Sequence, residues 1–200
     1  MPVLVTREAP DFTADAVFPG GSIDTFALSN WKGKYICLLF YPMDFSYVCP
    51  SEIIAFNQNI EEFHKRDCKI AAISTDTEFT HHAWISTDLK HGGVGEVSFP
   101  LISDKTKDIT RMYGILYAHA VALRGLFLID KEGIVRHELI NDLPLGRSVN
   151  EALRMLDALR FYEKHGNVCP ANWQPGDNGI EPSREGVIDY MASVMSCGII

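Results

Sequence analysis

Cys49 stands at a position where a thiol would be chemically unusual. The next residue is Pro50, and proline is favoured at the first position of a helix. The apolar residues that follow recur at helical spacing: Ile53, Phe56, Ile60 and Phe63. The thiol would therefore face unpaired backbone N–H groups and the positive end of a helix dipole. Because this environment favours the nucleophilic thiolate, the sequence predicts a reactive cysteine at the start of a helix.

A helix end alone is too weak to keep such a thiol ionised at neutral pH. Lowering the pKa of a thiol from about 8.5 to about 6 requires roughly 3.4 kcal/mol. A helix N-terminus contributes typically about 0.3–1 kcal/mol. A cation is therefore needed beside Cys49. Glu52 lies about one helical turn away and could hold an arginine there, the candidates being Arg124 and Arg147. Ser46 offers a hydroxyl that can donate and accept hydrogen bonds, although an ordinary turn serine is the alternative interpretation.

An alternation of strands and helices is expected to position these residues. Residues 35–41 form a continuous apolar, aromatic-rich run, which is typical of a strand buried on both faces. The other elements predicted are helices over 51–66, 76–90 and 104–113, strands over 69–74, 99–102, 123–129 and 134–140, and a helix from the Ser148-x-x-Glu151 capping box to about His165. Residues 130–133, Asp-Lys-Glu-Gly, predict a hairpin between the last two strands. The pattern predicts an α/β fold with a mixed central sheet.

The character of the chain changes after Gly166. Residues 167–179 are dense in Pro, Gly and Asn, which predicts an irregular arm. A helix should follow, with an apolar stripe that must cover another surface: Val187, Tyr190, Met191, Val194 and Met195. We therefore predict a domain over 1–166, followed by a C-terminal arm and tail helix over 167–200.

The composition argues against polyanionic partners. The net charge is −8, the pI is about 5.3, and Lys and Arg are scattered along the chain. We therefore expect neither a nucleic acid nor a membrane as a partner. The first residues lack the pattern of a signal peptide, and no apolar run approaches the roughly 20 residues of a membrane span. A reducing cytoplasm is the expected location.

The five cysteines, at positions 37, 49, 68, 169 and 197, predict neither a disulfide scaffold nor a zinc site, because their number is odd and no C-x-x-C pair occurs. No metal or cofactor is expected. Cys37 and Cys68 lie in or beside apolar strand patterns and are interpreted as inert, and Cys197 as a free tail thiol. The Gly-rich loop at 92–95 lacks the residues and spacing of a nucleotide-binding loop.

Several ordered motifs resemble those of the peroxiredoxins, over essentially the whole chain. Pro42-x-x-x-Ser46-x-x-Cys49-Pro50-Ser51-Glu52 resembles their active-site motif, and Val168-Cys169-Pro170 the resolving-cysteine motif of the typical two-cysteine class. Residues 76–84, 124–130 and 141–148 add to the resemblance. It implies a thioredoxin-like core with Cys49 as peroxidatic thiolate and Cys169 of a partner subunit as resolving thiol. The supporting residues that it implies are Pro42, Ser46, Arg124, Glu52 and Arg147.

The same resemblance implies a reaction and an assembly. The substrates would be hydrogen peroxide and organic hydroperoxides, and the reductant thioredoxin or a similar dithiol protein. An intersubunit disulfide between Cys49 and Cys169 would form during turnover. The protein would be a homodimer that assembles into a decamer of five dimers.

Three positions depart from the family pattern. Ser46 replaces the commoner threonine but keeps the hydroxyl. Val94 stands in what is otherwise a Gly-Gly-Leu-Gly loop, and Met191 replaces the phenylalanine of a Tyr-Phe tail. In the family these two motifs accompany easy overoxidation of the peroxidatic cysteine. We therefore expect a tail that releases more readily and a moderate sensitivity to overoxidation.

Two other function classes compete with the peroxidase. A thioredoxin-type disulfide oxidoreductase would share the core fold but should carry a C-x-x-C motif, and Cys49 is followed by no cysteine before Cys68. A holdase chaperone or a peroxide-sensing redox relay could use the same oligomer, since a binding surface needs no motif. Holdase function retained in a Cys49→Ser protein would separate the chaperone from the peroxidase.

Overall fold

The computed structural model describes residues 3–196, so that Cys197 lies outside the described residues. The chain forms two compact units, Met1–Val149 and Asn150–Ile200. The long helix that begins at Val149 is thus grouped with the C-terminal arm. The division that the sequence predicts, after Gly166, stays a prediction.

The first unit is built on a seven-stranded sheet. The strands are β1 (Thr13–Val17), β2 (Ile23–Ala27), β3 (Tyr35–Phe40), β4 (Cys68–Ser74), β5 (Leu101–Ser103), β8 (Arg124–Ile129) and β9 (Val135–Asn141), in the order β2-β1-β5-β4-β3-β8-β9. The neighbours β3, β4 and β5 are parallel, whereas the other pairs are antiparallel. Two short strands, β6 (Leu116–Tyr117) and β7 (Val121–Ala122), pair separately. The predicted mixed sheet and the hairpin between β8 and β9 are confirmed.

The central strand β3 is buried along its whole length, as its apolar run predicts. Phe40 at its end packs its ring 4.9 Å from that of Tyr113 and 5.6 Å from that of Phe127. In the antiparallel register of β3 and β8, Leu39 lies opposite Leu126. The end of β3 therefore lies beside the beginning of β8, where polar and charged residues can meet over the apolar core.

Within residues 3–196, six α-helices accompany the sheet and the arm. They are α1 (Cys49–Gln58), α2 (Ile60–His64), α3 (Glu78–Ser86), α4 (Asp108–Met112), α5 (Val149–His165) and α6 (Arg184–Ser196), with 3-10 turns at Leu28–Trp31 and Leu89–His91. No helix among residues 3–196 is long and apolar enough to cross a membrane.

Helix limits differ from the sequence expectation where side chains compete for backbone groups. The predicted helix over 51–66 is divided at Asn59, whose side-chain amide donates to the carbonyl oxygen of Ala55 that a continuous helix would use. The predicted helix over 104–113 begins four residues late, because the carboxylate of Asp104 accepts from the N–H groups of Ile109 and Thr110. The predicted helix over 76–90 ends at Ser86, before an extended Thr87.

The second unit consists of most of α5, an irregular arm and α6. Within it, Val168 and Ile180 form an isolated antiparallel bridge, and Trp173 is buried with its ring 5.0 Å from that of Phe161. The predicted irregular arm is therefore ordered by a few specific contacts. The predicted tail helix is also present, and it exposes the apolar side chains of Val187, Ile188 and Met191.

Candidate active site

Cys49 is the first residue of α1, and Pro50 follows it at the N-terminal end. Cys49 is completely buried, with 0% of its surface exposed. The Nη1 atom of Arg124 lies 3.3 Å from its sulfur. The thiol thus faces both the open end of a helix and a guanidinium cation. Both features place positive potential at the sulfur.

Glu52, one turn further along α1, holds two arginines in place. Its Oε2 accepts from Nη1 of Arg124 at 2.8 Å and from Nη2 of Arg147 at 2.9 Å. Its Oε1 accepts from Nε of Arg147 at 2.8 Å and from the backbone N–H of the same residue at 2.9 Å. Burial by itself would raise the pKa of Glu52, but the hydrogen bonds and charge of Arg147, with the charge of Arg124, hold it below its ordinary value. The carboxylate is therefore ionised at neutral pH.

The two arginines have different surroundings. Arg124 is the first residue of β8 and also donates to the carbonyl oxygen of Leu143 at 2.6 Å. Arg147 donates through Nη1 to the carbonyl oxygens of Phe40 and Gly125, at 2.9 and 2.5 Å. Arg124 thus contacts the sulfur, whereas Arg147 fastens Glu52 to the adjoining ends of β3 and β8. Two cations and one anion leave a net positive charge beside the thiol.

Ser46 and Pro42 lie in the loop between β3 and α1. Pro42 is buried at the start of this loop. Ser46 is partly exposed, and its hydroxyl donates to the carbonyl oxygen of Met43 at 2.9 Å. With its proton engaged in this way, the hydroxyl still has lone pairs with which to accept a hydrogen bond from a ligand.

The same loop contributes to a buried cluster of polar side chains that the sequence did not predict. Nδ1 of His81 lies 2.7 Å from Oδ2 of Asp44, and the hydroxyl of Tyr41 donates to Oδ1 of Asp44 at 2.8 Å. Burial, more than any neighbour, raises the pKa of both Asp44 and Tyr41. The sequence signal for this cluster is Asp44 itself, an acidic residue within an apolar stretch. A carboxyl group buried there needs hydrogen-bond partners. Nothing in one sequence identifies a partner 37 residues away.

The remaining described cysteines have apolar or backbone surroundings. Cys169 belongs to the second unit, where its sulfur lies 3.5 Å from the carbonyl oxygen of Ala158. Burial raises the pKa of Cys169, and the charge of Arg154 partly opposes this. Burial raises the pKa of Cys37 to about 12 against a smaller effect of Arg147, and Cys68 is buried too. These surroundings agree with the interpretation of Cys37 and Cys68 as inert.

The fold and the site together define a class of protein, namely a thioredoxin-like α/β protein with a buried cysteine held against an arginine at a helix start. A model of the AhpC/TSA family matches residues 5–138, and a model of the C-terminal domain of 1-Cys peroxiredoxin matches residues 158–192. The chain therefore belongs to the peroxiredoxin family.

Individual relatives cover nearly the whole chain. It is 49% identical over 191 residues to alkyl hydroperoxide reductase C of Helicobacter pylori strain J99, covering 94% of this chain and 96% of the relative. It is 50% identical over 194 residues to thioredoxin peroxidase of Echinococcus granulosus, covering 96% and 100%. Among solved structures, the reduced 2-Cys peroxiredoxin of Plasmodium vivax matches with a TM-score of 0.94 and 47% identity, covering 96% of this chain and 100% of that one.

Proposed function

We propose that Cys49 is the peroxidatic nucleophile of a thioredoxin-dependent peroxidase that reduces hydrogen peroxide and organic hydroperoxides. The observation that carries this proposal is the 3.3 Å contact between the sulfur of Cys49 and Nη1 of Arg124 at the start of α1. The names of the relatives, alkyl hydroperoxide reductase and thioredoxin peroxidase, support the same substrates and reductant.

In the first step the Cys49 thiolate attacks one oxygen of the peroxide. The O–O bond breaks, the sulfur loses two electrons and becomes a sulfenic acid, and the other oxygen leaves as an alkoxide or hydroxide that takes up a proton. A stable thiolate alone would not make this step fast, because nucleophilicity falls as acidity rises. The rate must come from groups that stabilise charge on the departing oxygen. Arg124, whose Nη1 lies 3.3 Å from the sulfur, is one such group. The others are a backbone N–H at the start of α1 and the hydroxyl of Ser46, which must turn from the carbonyl oxygen of Met43 to donate to the departing oxygen.

In the second step the thiol of Cys169 from a partner subunit condenses with the sulfenic acid. A disulfide forms, the sulfenic oxygen leaves as water, and a dithiol protein of the thioredoxin type later reduces the disulfide. The protein that carries out this cycle is a homodimer, assembles into a decamer of five dimers, and works in the cytoplasm. The arm that carries Cys169 and the exposed apolar residues of α6 support assembly with further copies.

Non-reducing electrophoresis after one equivalent of hydrogen peroxide tests both steps. The wild-type chain should give a covalent dimer, whereas Cys49→Ser and Cys169→Ser proteins should not. Cys68→Ser is the matched control, because Cys68 is as deeply buried in the first unit and its thiol faces the carbonyl oxygen of Lys69. This variant should behave as wild type. A covalent dimer that persists in the Cys49→Ser protein, or an intramolecular disulfide in the wild type, would refute the proposed cycle.

A further inference from the structure

A short loop leads from the end of β9 to Arg147. Asn141, the last residue of β9, lies opposite Arg124, the first residue of β8, in the antiparallel register. The loop over 142–146 follows, and Arg147 then donates its backbone N–H to Glu52. The loop therefore begins beside one of the two arginines of the candidate active site and ends at the other.

Side-chain donors on the two paired strand ends bind the carbonyl oxygens of this loop. Nε of Arg124 donates to the carbonyl oxygen of Leu143 at 2.6 Å. Nδ2 of Asn141 donates to the carbonyl oxygen of Leu145 at 3.1 Å and lies 3.4 Å from that of Gly146. Arg124 thus uses the loop as a hydrogen-bond partner, and the amide of Asn141 closes the loop into the shape that presents this partner.

The loop has little apolar packing of its own. Pro144 and Gly146 are exposed, and Leu145 is 57% exposed. A turn is formed inside the loop, where the N–H of Leu145 donates to the carbonyl oxygen of Asp142 at 3.1 Å. Because so little burial holds the loop, its order depends strongly on hydrogen bonds such as those of Asn141.

Arg124 depends on the loop because its guanidinium is buried. The residue is only 3% exposed, so an Nε–H group without the carbonyl of Leu143 would be left unsatisfied away from water. Nη1 of the same group lies 2.8 Å from Oε2 of Glu52 and 3.3 Å from the sulfur of Cys49. Since a guanidinium is planar and rigid, a bond at Nε fixes the direction in which Nη1 points. Leu143 and Glu52 together therefore aim Nη1 at the sulfur.

We propose that Asn141 is a positioning residue for the first step of the reaction, because it closes the loop that holds the carbonyl of Leu143 against Arg124. This inference rests on the proposed peroxidase function. In that step the Cys49 thiolate attacks one peroxide oxygen, the O–O bond breaks, and the other oxygen leaves with the bonding electrons and takes up a proton. The departing oxygen gains its charge beside Arg124, so a displaced guanidinium slows the step.

The second step should respond differently. A disulfide with Cys169 of a partner subunit requires the fully buried sulfur of Cys49 to leave its position beside Arg124. The aim of Nη1 therefore matters for attack on the peroxide and not for the later condensation. Loss of the Asn141 amide should slow the first step alone.

The test measures two rates by stopped-flow fluorescence, namely the second-order rate constant for hydrogen peroxide and the peroxide-independent rate of disulfide formation. Asn141→Asp keeps the shape of the side chain, but an ionised carboxylate donates no hydrogen bond. It should lower the first rate about five- to tenfold and leave the second within about twofold. Asn141→Ala removes the donor without adding a charge and should give a similar loss.

Asn57→Asp is the matched control. Nδ2 of Asn57 likewise donates to a backbone carbonyl oxygen, that of Glu96, at 2.9 Å, and Oδ1 accepts from the N–H of Ser98. The same substitution there removes an amide donor that holds a different loop. Both rates should stay at the wild-type values.

A double-mutant cycle distinguishes an effect through Arg124 from a general structural effect. In an Arg124→Ala protein, Asn141→Ala should lower the rate constant by less than about twofold further, because the guanidinium that it positions is gone. A further loss of about five- to tenfold there, an unchanged rate constant in the single Asn141 variants, or a loss confined to disulfide formation overturns the inference. A wild-type protein that forms no Cys49 sulfenic acid with hydrogen peroxide overturns the proposed function instead.

Discussion

Replacement of Arg124 by alanine should separate the group that contacts the sulfur from the group that only supports it. Nη1 of Arg124 lies 3.3 Å from the sulfur of Cys49. At an effective dielectric constant of about 20, a unit cation and a thiolate at this distance attract each other by about 5 kcal/mol. Glu52, 2.8 Å from the same nitrogen, cancels part of this attraction. Removal of one preorganised donor typically costs about 2.7–4 kcal/mol in the transition state, which is roughly a 10²- to 10³-fold loss of rate.

Arg147→Ala is the comparison, because Arg147 contacts Glu52 and two backbone carbonyls but not the sulfur. It breaks a buried ion pair, so we expect a loss of about 3–5 kcal/mol in the free energy of unfolding. Arg124 remains bonded to Glu52 and Leu143 in that protein, and the rate should fall by about tenfold or less.

The assay is the second-order rate constant for hydrogen peroxide, measured by stopped-flow fluorescence on each folded variant, beside urea unfolding of the same samples. Arg124→Ala should lose more rate and less stability than Arg147→Ala. Arg111→Ala, which removes an exposed arginine paired with Asp108, should change neither quantity appreciably. Equal rate losses for the Arg124 and Arg147 variants would refute the assignment of separate roles.

Three further predictions concern pH, packing and overoxidation. Because burial raises the pKa of Cys169 against the charge of Arg154, the rate of disulfide formation should rise with pH between about 7 and 9, and a flat stopped-flow profile would contradict this. A Cβ atom at Gly93 would lie 1.8 Å from the carbonyl oxygen of Thr87, so Gly93→Ala should cost about 1–3 kcal/mol and lower the Tm by several degrees; calorimetry with an unchanged Tm would refute it. Met191 is 44% exposed, and Met191→Phe adds an aromatic ring to the tail helix. Mass spectrometry of this variant should show more Cys49 sulfinic acid than wild type at a given peroxide dose. Equal amounts would argue against the tail as a determinant of overoxidation.

Much of the fold could be predicted from the sequence because its signals are local. The apolar run of β3 and the turn residues at 130–133 each act within a few positions, and both predictions are confirmed. The helix limits were less accurate, since the carboxylate of Asp104 and the amide of Asn59 take backbone groups that periodicity assigns to a helix. Competition of this kind depends on side-chain rotamers, which a pattern of apolar residues does not encode.

The candidate site could be predicted only in part. Helical spacing places Glu52 one turn from Cys49, and two arginines were candidates for its partner. Which of them contacts the sulfur depends on the register of β3 against β8, and this long-range pairing brings the first residue of β8, Arg124, to the start of α1. The pairing of Asp44 with His81 has the same origin, because it forms only when the loop after β3 meets α3.

The separation of the site residues along the chain has a consequence for synthesis. Arg124 follows Cys49 by 75 residues, and Arg147 follows Glu52 by 95. At roughly 5–20 residues per second, a ribosome needs on the order of 5–20 s to pass from the cysteine to the second arginine. Arg124 is made within that interval, but it reaches the thiol only when β8 pairs with β3. The contacts that surround Cys49 are therefore completed only when the sheet has closed, after all the residues that make them have been synthesised.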